Sequence, residues 1–262
     1  MKKNNPHFYI VIPSFNQAQF ITQTIESVFL QKKNVSLYVI DGKSTDDTLK
    51  ILKSYGSKLI WKSEKDEGQT DAINKGIDQF LKHAKENDIF AYINSDDFYK
   101  VDVFGYVVDA FEKHPSKQWL IGDAFIVDTS GKKIQHAIRL YKRLWRLILK
   151  KWLLFILNPI PQPAVFIKVK ALKKVGLFNK QLHYTMDYEY WLRLYEKVGN
   201  PIVVPGALAA FRIHSASKGT TAFKKQFAEE YTVATRYTKN KSFLFFHLLH
   251  NQFIISLYRW LK

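Results

Sequence analysis

Short apolar runs alternate with amphipathic stretches along the first hundred residues. Four runs rich in β-branched and aromatic residues predict strands, at residues 8–13, 37–41, 58–62 and 89–94. Between them, apolar residues recur at helical spacing and predict helices at residues 17–31, 44–55 and 69–83. The second helix opens on a capping-box pattern from Ser44 to Asp47. The alternation of strand and helix predicts an α/β fold, Rossmann-like, with a mostly parallel central sheet flanked by helices.

Small polar and acidic residues follow each predicted strand, at positions 14–16, 41–44, 64–71 and 94–97. In open α/β sheets ligands bind outside the carboxyl ends of the strands, so we expect these four loops to converge on one crevice. The sequence contains neither a G-x-G-x-x-G nor a G-x-x-x-x-G-K-[ST] pattern, which disfavours a dinucleotide site or a P-loop. A nucleotide bound in this crevice would be held by residues other than a glycine-rich phosphate loop.

Seven motifs occur in order along the chain. They are IPSFN at 12–16, VIDGKSTD at 39–46, SEKDEGQTDAINKG at 63–76, YINSDD at 92–97, QPA at 162–164, MDYEYWLR at 186–193 and RIHS at 212–215. Each motif alone is weak, but together and in this order they resemble the nucleotide-sugar-dependent glycosyltransferases of family 2. The resemblance implies a GT-A fold over residues 1–215, with a nucleotide-sugar half at about 1–100 and an acceptor half at about 101–215.

The same resemblance assigns the nucleotide-sugar to the four loops and to a later basic segment. The implied binding residues are Pro13, Phe15, Asn16, Asp41, Ser44, Asp66, Gln69, Asp71, Lys75, Asn94, Ser95, Arg212 and His214. In this assignment Phe15 packs on the base and Asp41 accepts a hydrogen bond from its imide, which favours a UDP-sugar. The alternatives are that Phe15 is a core residue, that Asp41 ends a strand, and that Lys75 only pairs with Asp71 one helical turn away.

The motif NSD at 94–96, followed by Asp97, takes the place of the family's Asp-x-Asp metal motif. The resemblance implies that Asp96 and Asp97 hold Mn²⁺ or Mg²⁺, which prefer oxygen ligands and would stabilise the charge of the departing diphosphate. Asn94 replaces the first acid of that motif and removes one charge. The segment from Arg212 through His214 to Ser215, Ser217 and Lys218 would close over the diphosphate. The alternative for Asp96 and Asp97 is that they end a strand and cap the next helix.

Inverting transfer needs a base that takes the proton of the acceptor hydroxyl. The resemblance implies Asp187 for this role, with Glu189 as the alternative base. Trp191 lies one helical turn beyond Asp187 and either stacks on a sugar or belongs to the core. The motif QPA at 162–164 is expected to border the acceptor site.

Charge divides the chain into two unlike halves. Residues 1–131 contain 16 basic and 18 acidic residues, whereas residues 132–262 contain 24 basic and 5 acidic residues, for net charges of −2 and +19. Five basic residues recur at helical spacing within the stretch 139–157, namely Arg139, Lys142, Arg143, Arg146 and Lys150. With the neighbouring leucines and tryptophans they predict a basic amphipathic helix on an anionic membrane surface.

The segment 216–262 is predicted to be a helical, basic and aromatic tail, with a second such helix near 243–262. The alternative is that these apolar faces pack on the catalytic domain or on a second subunit, as in a homodimer. The longest apolar run, 152–157, is far shorter than the ~20 residues that span a bilayer, and the run before Pro13 is too short for a signal peptide. With no cysteine in the chain, these features predict a cytoplasmic protein at the inner face of the cell membrane.

The sequence therefore predicts an inverting transfer of a hexose or N-acetylhexosamine from a UDP-sugar to a glycan or lipid-linked glycan, in bacterial surface polysaccharide or glycolipid assembly. Two alternatives stay open at this point. A basic, aromatic-rich half could bind nucleic acid without catalysis, although acidic loops in the first half would repel phosphates and no recognised nucleic-acid motif is present. The protein could also bind a nucleotide-sugar without transferring it.

Overall fold

The computed structural model describes residues 5–214 and 223–260. The first part of the chain contains, in order, β1 (Phe8–Ser14), α1 (Ile21–Phe29), β2 (Val35–Asp41), α2 (Thr48–Ser54), β3 (Ile60–Ser63), α3 (Gln69–Phe80), β4 (Ile89–Tyr92), β5 (Phe98–Tyr99) and α4 (Val103–Lys113). The second part contains β6 (Trp119–Val127), β7 (Lys133–Ile134), α5 (His136–Leu147), α6 (Lys151–Leu154), β8 (Val165–Lys168), α7 (Val169–Val175), α8 (Met186–Val198), β9 (Ile202–Arg212), α9 (Phe223–Tyr237) and α10 (Lys241–Trp260). The predicted α/β fold is confirmed.

The strands form one nine-stranded sheet in the order β3-β2-β1-β4-β8-β6-β9-β5, with β7 paired to β6. The first four strands are parallel, as predicted, whereas β8 runs antiparallel to both β4 and β6, so the second half of the sheet is mixed. Ser14 lies opposite Asp41, and Asp41 lies opposite Ser63. The carboxyl ends of three strands are therefore level and open onto the same edge.

Apolar residues of β1 alternate between the two faces of the sheet, as the two-residue period of a strand requires. Phe8, Ile10 and Ile12 pack with α1 and α4, whereas Tyr9 and Val11 pack with α3, α7 and α8. Gly76 allows α3 to cross β1 closely, because a Cβ at this position would lie 2.5 Å from a methyl group of Val11. Both faces of the sheet are thus covered by helices.

Two helices begin later than predicted. Helix α1 begins at Ile21 rather than at residue 17, and α2 begins at Thr48 rather than at Ser44. The capping-box prediction is wrong because the Ser44 hydroxyl donates to Asp41 and accepts from the backbone N–H of Asn16. The polar residues before α2 therefore form a loop that faces the first strand.

The predicted basic amphipathic helix is present as α5, but two of its arginines face inward. Arg139 and Arg146 both form ion pairs with Asp123 of β6, and Arg146 also donates to the carbonyl of Pro159 at 2.8 Å. The leucines of α5 point to solvent instead, with Leu144 58% exposed. Across the described ranges, we find no helix that combines the length and the hydropathy needed to cross a membrane.

Candidate active site

The loops that follow β1 and β2 are joined by hydrogen bonds. The backbone N–H of Asn16 donates to the Ser44 hydroxyl at 2.7 Å, and the N–H of Thr45 donates to Asn16 Oδ1 at 2.8 Å. Asn16 has a φ of 52°, in the left-handed region that asparagine tolerates better than most residues. The Asp46 carboxylate accepts from the N–H of Ala18 at 3.0 Å. The structure thus brings together the first two predicted loops.

Phe15 and Asp41 occupy different environments within these loops. The Phe15 ring is 59% exposed, so it is not a core residue, and its surface is free to pack on a flat ligand. Asp41 is fully buried, and its carboxylate accepts hydrogen bonds from the Ser44 N–H at 2.9 Å and from the Ser63 hydroxyl at 2.7 Å. Asp41 therefore holds the loop in place, and its contact with a nucleobase stays a prediction. Pro13 lies buried in β1 opposite Ile40.

The start of α3 forms the next wall of the crevice. Gln69 donates to the side-chain oxygen of Asn94 at 2.6 Å, which joins α3 to the loop after β4. Asp66 accepts from the N–H of Gly68 at 2.9 Å and lies against Gly42, where a Cβ would come within 2.8 Å of its carboxylate. Glycine at position 42 therefore allows the third loop to approach the second.

Asp71 and Lys75 form the predicted ion pair, at 3.1 Å. Lys75 also pairs with Glu64 at 3.1 Å, and Asp71 pairs with Lys180 from the second half of the chain at 3.0 Å. The Lys180 and Lys75 ammonium groups lower the pKa of the Asp71 carboxyl, against the opposing effect of its burial. Lys75 is therefore observed in its alternative role, as the ion-pair partner of Asp71.

Asp96 and His214 meet at the floor of the crevice. Their side chains are 2.9 Å apart, from Asp96 Oδ2 to His214 Nε2, and both are partly exposed. Ser95 is buried, and its carbonyl accepts from the Thr24 hydroxyl at 2.9 Å, which fixes this loop to α1. A carboxylate and an imidazole are thereby placed side by side on a rigid support.

Asp97 points away from the crevice into the protein. It is 1% exposed and accepts a hydrogen bond from the backbone N–H of Arg212 at 2.8 Å. Burial, together with the neighbouring Asp96, raises the pKa of Asp97 well above its usual range. Because its carboxylate is enclosed by protein and already accepts from Arg212, the geometry does not fit the predicted role of Asp97 as a metal ligand.

The contacts of Arg212 differ from the prediction that this residue closes over the diphosphate. Its side chain is 2% exposed, and its guanidinium donates to the carbonyls of Asp96 at 2.8 Å, Asp128 at 3.0 Å and Thr129 at 2.7 Å. The group also contacts Gln23. The guanidinium thus holds the Asp96 loop in position instead of facing the crevice. Ser215, Ser217 and Lys218 lie outside the described residues.

Asp187 lies in the first turn of α8, next to the loop after β4. Burial raises the pKa of Asp187 to about 6, and the Lys142 ammonium opposes this rise. The Thr70 hydroxyl of α3 donates to the sulfur of Met186, the neighbour of Asp187, at 2.6 Å, and the adjacent Gln69 contacts Asn94. The start of α8 therefore packs on the start of α3, which also contacts the loop after β4.

Helix α9 supports the start of α8 through Glu229. Its carboxylate accepts hydrogen bonds from the consecutive backbone N–H groups of His183, Tyr184 and Thr185, at 3.0, 2.8 and 2.8 Å. The Thr185 hydroxyl donates to it as well, at 2.9 Å. These four bonds hold the turn that precedes Asp187, and they lower the pKa of Glu229 against the effect of its burial.

Two other predicted side chains face away from the site. Glu189 is buried, pairs with Arg193 at 2.9 Å and accepts from the Tyr237 hydroxyl at 2.5 Å, so it is not placed to act as the base. Trp191 is 1% exposed and its ring centroid lies 6.2 Å from that of Trp119, so it is a core residue. The sugar-stacking role of Trp191 is therefore wrong.

Gln162 lies beside Tyr92, at the side of the crevice opposite the nucleotide loops. Its amide N–H donates to the Tyr92 carbonyl at 2.8 Å. Its amide oxygen and the Tyr92 hydroxyl are buried and have no hydrogen-bond partner among the described residues. Unsatisfied buried polar atoms of this kind are uncommon.

A family model described as Glycosyl transferase family 2 matches residues 9–176, more than half of the chain. The chain belongs to glycosyltransferase family 2. Over 236 residues, this family 2 glycosyltransferase is 27% identical to an uncharacterized glycosyltransferase of Rickettsia prowazekii, covering 88% of the chain and 71% of that relative. It is 24% identical over 208 residues to a PGL/p-HBAD biosynthesis glycosyltransferase of Mycobacterium bovis, covering 76% of the chain and 72% of that relative.

Solved structures establish the GT-A fold of this family 2 glycosyltransferase. Residues 1–349 of S. aureus TarS, in complex with UDP-GlcNAc, match with a TM-score of 0.65 and 18% identity over 87% of the chain and 66% of that structure. A longer TarS structure matches over 86% of the chain, which spans 39% of that protein. The mannosyltransferase PcManGT of Pyrobaculum calidifontis, in complex with GDP-Man and Mn²⁺, matches with a TM-score of 0.67 and 14% identity over 94% of the chain and 69% of that structure.

The donor set at the crevice floor of the family 2 enzyme fits one divalent ion. Asp96 and His214 supply one carboxylate oxygen and one imidazole nitrogen, a combination that suits Mn²⁺. Within the ranges that the structure covers, no three His, Asp or Glu side chains form a group that could hold a metal on their own. A bound ion would therefore need oxygen ligands from a substrate.

Sequence reasoning missed Lys180, Glu229 and Glu230 and assigned Lys142 to a membrane surface, whereas all four are charged residues near Asp187 or Asp71. Burial raises the pKa of Glu230 to about 7, and the nearby Asp187 adds to the rise. All four come from the basic half, far in sequence from the nucleotide loops. One signal was available: Glu229 and Glu230 are two of only five acidic residues in positions 132–262.

Proposed function

We propose that this transferase moves a hexose or N-acetylhexosamine from a UDP-sugar to a hydroxyl of a glycan or lipid-linked glycan, with inversion at the anomeric carbon. The proposal is supported by the Asp96–His214 pair after β4 and by Asp187, whose pKa is raised and whose neighbour Met186 contacts the start of α3. A base and a site for a charged leaving group are the two elements that such a transfer requires.

The donor would lie across the edge where β1, β2 and β3 end. Phe15 offers its exposed ring to the uracil, and the Asn16 and Ser44 loops surround the ribose. Asp96 and His214 would hold Mn²⁺ or Mg²⁺, which as a Lewis acid would stabilise the charge of the leaving diphosphate. The UDP-GlcNAc bound by TarS supports a donor of this class.

Asp187 acts as the general base in this proposal. The acceptor hydroxyl attacks the anomeric carbon while its proton passes to the Asp187 carboxylate, and the carbon–oxygen bond to the diphosphate breaks with its electron pair on the diphosphate. A pKa of about 6 leaves the carboxylate ionised at neutral pH and basic enough to accept a proton in the transition state.

A panel of nucleotide-sugars tests this proposal. Purified protein is incubated with UDP-, dTDP- and GDP-sugars, with and without Mn²⁺, and release of the nucleoside diphosphate is measured. We expect release from one or more UDP-sugars, and we expect Mn²⁺ to increase it. Binding of UDP-sugars without release under any condition would contradict transfer and favour a binding protein. Activity only with GDP-sugars would contradict the choice of uracil.

A further inference from the structure

Helices α5 and α10 present many large apolar side chains to solvent. Nine of them, each 43% to 59% exposed, define what we term the apolar face: Leu140, Leu144, Leu147, Ile148, Phe245, Phe246, Leu248, Leu249 and Phe253. Other exposed large apolar residues in the described part of the chain, such as Leu30 and Val101, are scattered over the fold. Single exposed apolar residues are ordinary, whereas a cluster of nine indicates a binding surface.

The fold itself turns the leucines of α5 outward. Leu140, Leu144 and Leu147 share one side of the helix at spacings of four and three residues. Arg139 and Arg146 occupy the opposite side, where both bind the buried carboxylate of Asp123. Rotation of α5 to bury its leucines would break these ion pairs and leave Asp123 unpaired in the interior. The exposure of the leucines is therefore fixed by the core.

Helix α10 lies alongside α5 and α6. The Tyr141 ring is stacked on the His250 ring with centroids 6.2 Å apart, and Trp152 is stacked on Phe243 at the same distance. His247 is buried and contacts the carbonyl of Phe155 at 3.1 Å, which fixes the inner side of α10. Helix α10 therefore meets α5 at Tyr141 and α6 at Trp152, and the apolar sides of α5 and α10 stay exposed.

The charges around the apolar face are positive. The sequence has no acidic residue in positions 129–186 or 231–262, which include all of α5, α6 and α10. Lys150 and Lys241 are exposed beside the face, and Trp152, 40% exposed, lies between them in sequence. Glu196, which pairs with Lys151 of α6, is an exposed acidic residue from another helix. A second copy of the chain would bring equally basic helices against these. Charge complementarity therefore favours an anionic partner over self-association.

We infer that the apolar face docks on a bilayer of anionic phospholipid. The phenylalanine and leucine side chains would enter the boundary between headgroups and acyl chains, and Lys150 and Lys241 would lie among the headgroup phosphates. Nucleic acid offers no apolar medium for nine such side chains. This docking mode replaces the predicted one, in which five basic residues face the membrane, because Arg139 and Arg146 are bound to Asp123. The inference extends the proposed function, since a lipid-linked acceptor is presented at such a surface.

Vesicle sedimentation tests the inference without any need for transfer activity. The full chain is mixed with vesicles of phosphatidylcholine alone, or of phosphatidylcholine and phosphatidylglycerol in equal parts. We expect binding to the second kind only, and weaker binding at about 0.5 M salt because screening shortens the range of the lysine charges. Failure to bind the phosphatidylglycerol vesicles at low salt would overturn the inference.

Two matched variants locate the contact. In the face variant Leu144, Leu147, Phe245 and Phe253 become Gln, and in the control variant the exposed Leu30, Ile60, Val101 and Leu177 become Gln. Vesicle affinity should fall about 10-fold or more in the face variant and stay unchanged in the control, since interfacial binding scales with the apolar area buried. Equal binding by both variants would overturn the inference. A wild-type dimer that the face variant dissociates would assign the surface to a second copy instead.

A labelling experiment covers the case in which the face variant fails to fold. The chain has no cysteine, so Leu144→Cys, Leu249→Cys and Leu177→Cys each give one attachment point for an environment-sensitive fluorophore at an exposed position. Phosphatidylglycerol vesicles should shift the emission of the first two labels to the blue and leave the third unchanged. The same small shift at all three positions would contradict docking through the apolar face. Donor cleavage measured in parallel separates a failure of docking from a failure of the proposed function.

Discussion

Asp187 is held among charges of both signs at the start of α8. Lys142 lowers its pKa, whereas burial and Glu229 raise it, for a value of about 6. A base must be deprotonated, so activity is present above this pKa and is lost as the pH falls through it. We predict that kcat/KM decreases about tenfold per pH unit below pH 6, as expected for a single essential base.

Variation of Lys142 tests whether this pH dependence belongs to Asp187. Removal of the ammonium in Lys142→Gln takes away a charge that stabilises the carboxylate, so the midpoint of the pH profile should move to higher pH. Lys151→Gln, on the neighbouring helix, serves as the control because Lys151 pairs with Glu196 at 2.8 Å. A midpoint that is the same in all three proteins would show that another group limits the rate.

A second prediction at the scale of single residues concerns the pair formed by Asp96 and His214. Asp96→Ala removes the carboxylate of the pair, and the adjacent Asp97 cannot replace it because its side chain is buried against Arg212. We expect this variant to lose the Mn²⁺-dependent part of UDP binding in calorimetric titrations. If the wild-type protein binds UDP equally with and without Mn²⁺, the metal assignment is wrong.

Single residues of the nucleotide loops were more predictable than those of the basic half. The motifs indicated Asn16, Ser44 and Gln69 because strand ends converge by simple topology. The inward position of Asp97 and the enclosure of Arg212 depend on packing between segments more than 100 residues apart, which local pattern does not contain. Lys180 and Glu229 reach the site through the same kind of long-range contact.

At the scale of secondary structure, α9 stabilises the turn that precedes Asp187 through Glu229. Glu229→Gln keeps the shape but loses the charge that strengthens four hydrogen bonds. A displacement of about 1 Å can cost about 100-fold in rate, so we expect kcat to fall between about 10- and 100-fold with donor KM unchanged. The midpoint of the pH profile should also move to lower pH, because Glu229 raises the pKa of Asp187.

Glu196→Gln is the matched control for this prediction, since Glu196 lies on α8 and its pair with Lys151 is exposed. It should leave kcat and the midpoint unchanged. If Glu229→Gln lowered stability without any change in kcat or in the midpoint, Glu229 would have a structural role only.

Helix α5 shows why helical periodicity alone does not predict which side of a helix faces the core. Its apolar and basic stripes were both predicted, but the usual rule that the apolar stripe faces the core is reversed by Asp123. We predict that Asp123→Asn lowers the free energy of unfolding by about 3–5 kcal/mol, because it leaves Arg146 charged and unpaired in the interior. Lys151→Gln breaks an exposed pair and should cost less than about 1 kcal/mol.

Urea denaturation measures both effects under the same conditions. Equal losses in the two variants, or a loss below 1 kcal/mol for Asp123→Asn, would mean that the arginines do not depend on Asp123.

The whole molecule combines a first half of nearly neutral charge with a basic second half, and both halves contribute strands to the GT-A sheet. The parallel strands, the crevice and the family were all predictable from the chain, because they depend on local pattern and on ordered motifs. The mixed second half of the sheet was not predictable, because β8 and β9 pair with strands that are distant in sequence. In the proposed arrangement the sheet binds the donor, and the basic half supplies Asp187 and the surface toward the acceptor.

Comparison of the wild-type protein with Asp187→Asn tests the central claim most directly. The amide keeps the shape of the side chain but cannot accept the hydroxyl proton, so we predict that the transfer rate falls about 10²–10⁴-fold while UDP-sugar affinity is retained. Transfer is measured as release of the nucleoside diphosphate under saturating donor, and affinity is measured by calorimetry. Turnover near the wild-type rate in Asp187→Asn would contradict the account, because the proton of the acceptor hydroxyl would then be taken by another group.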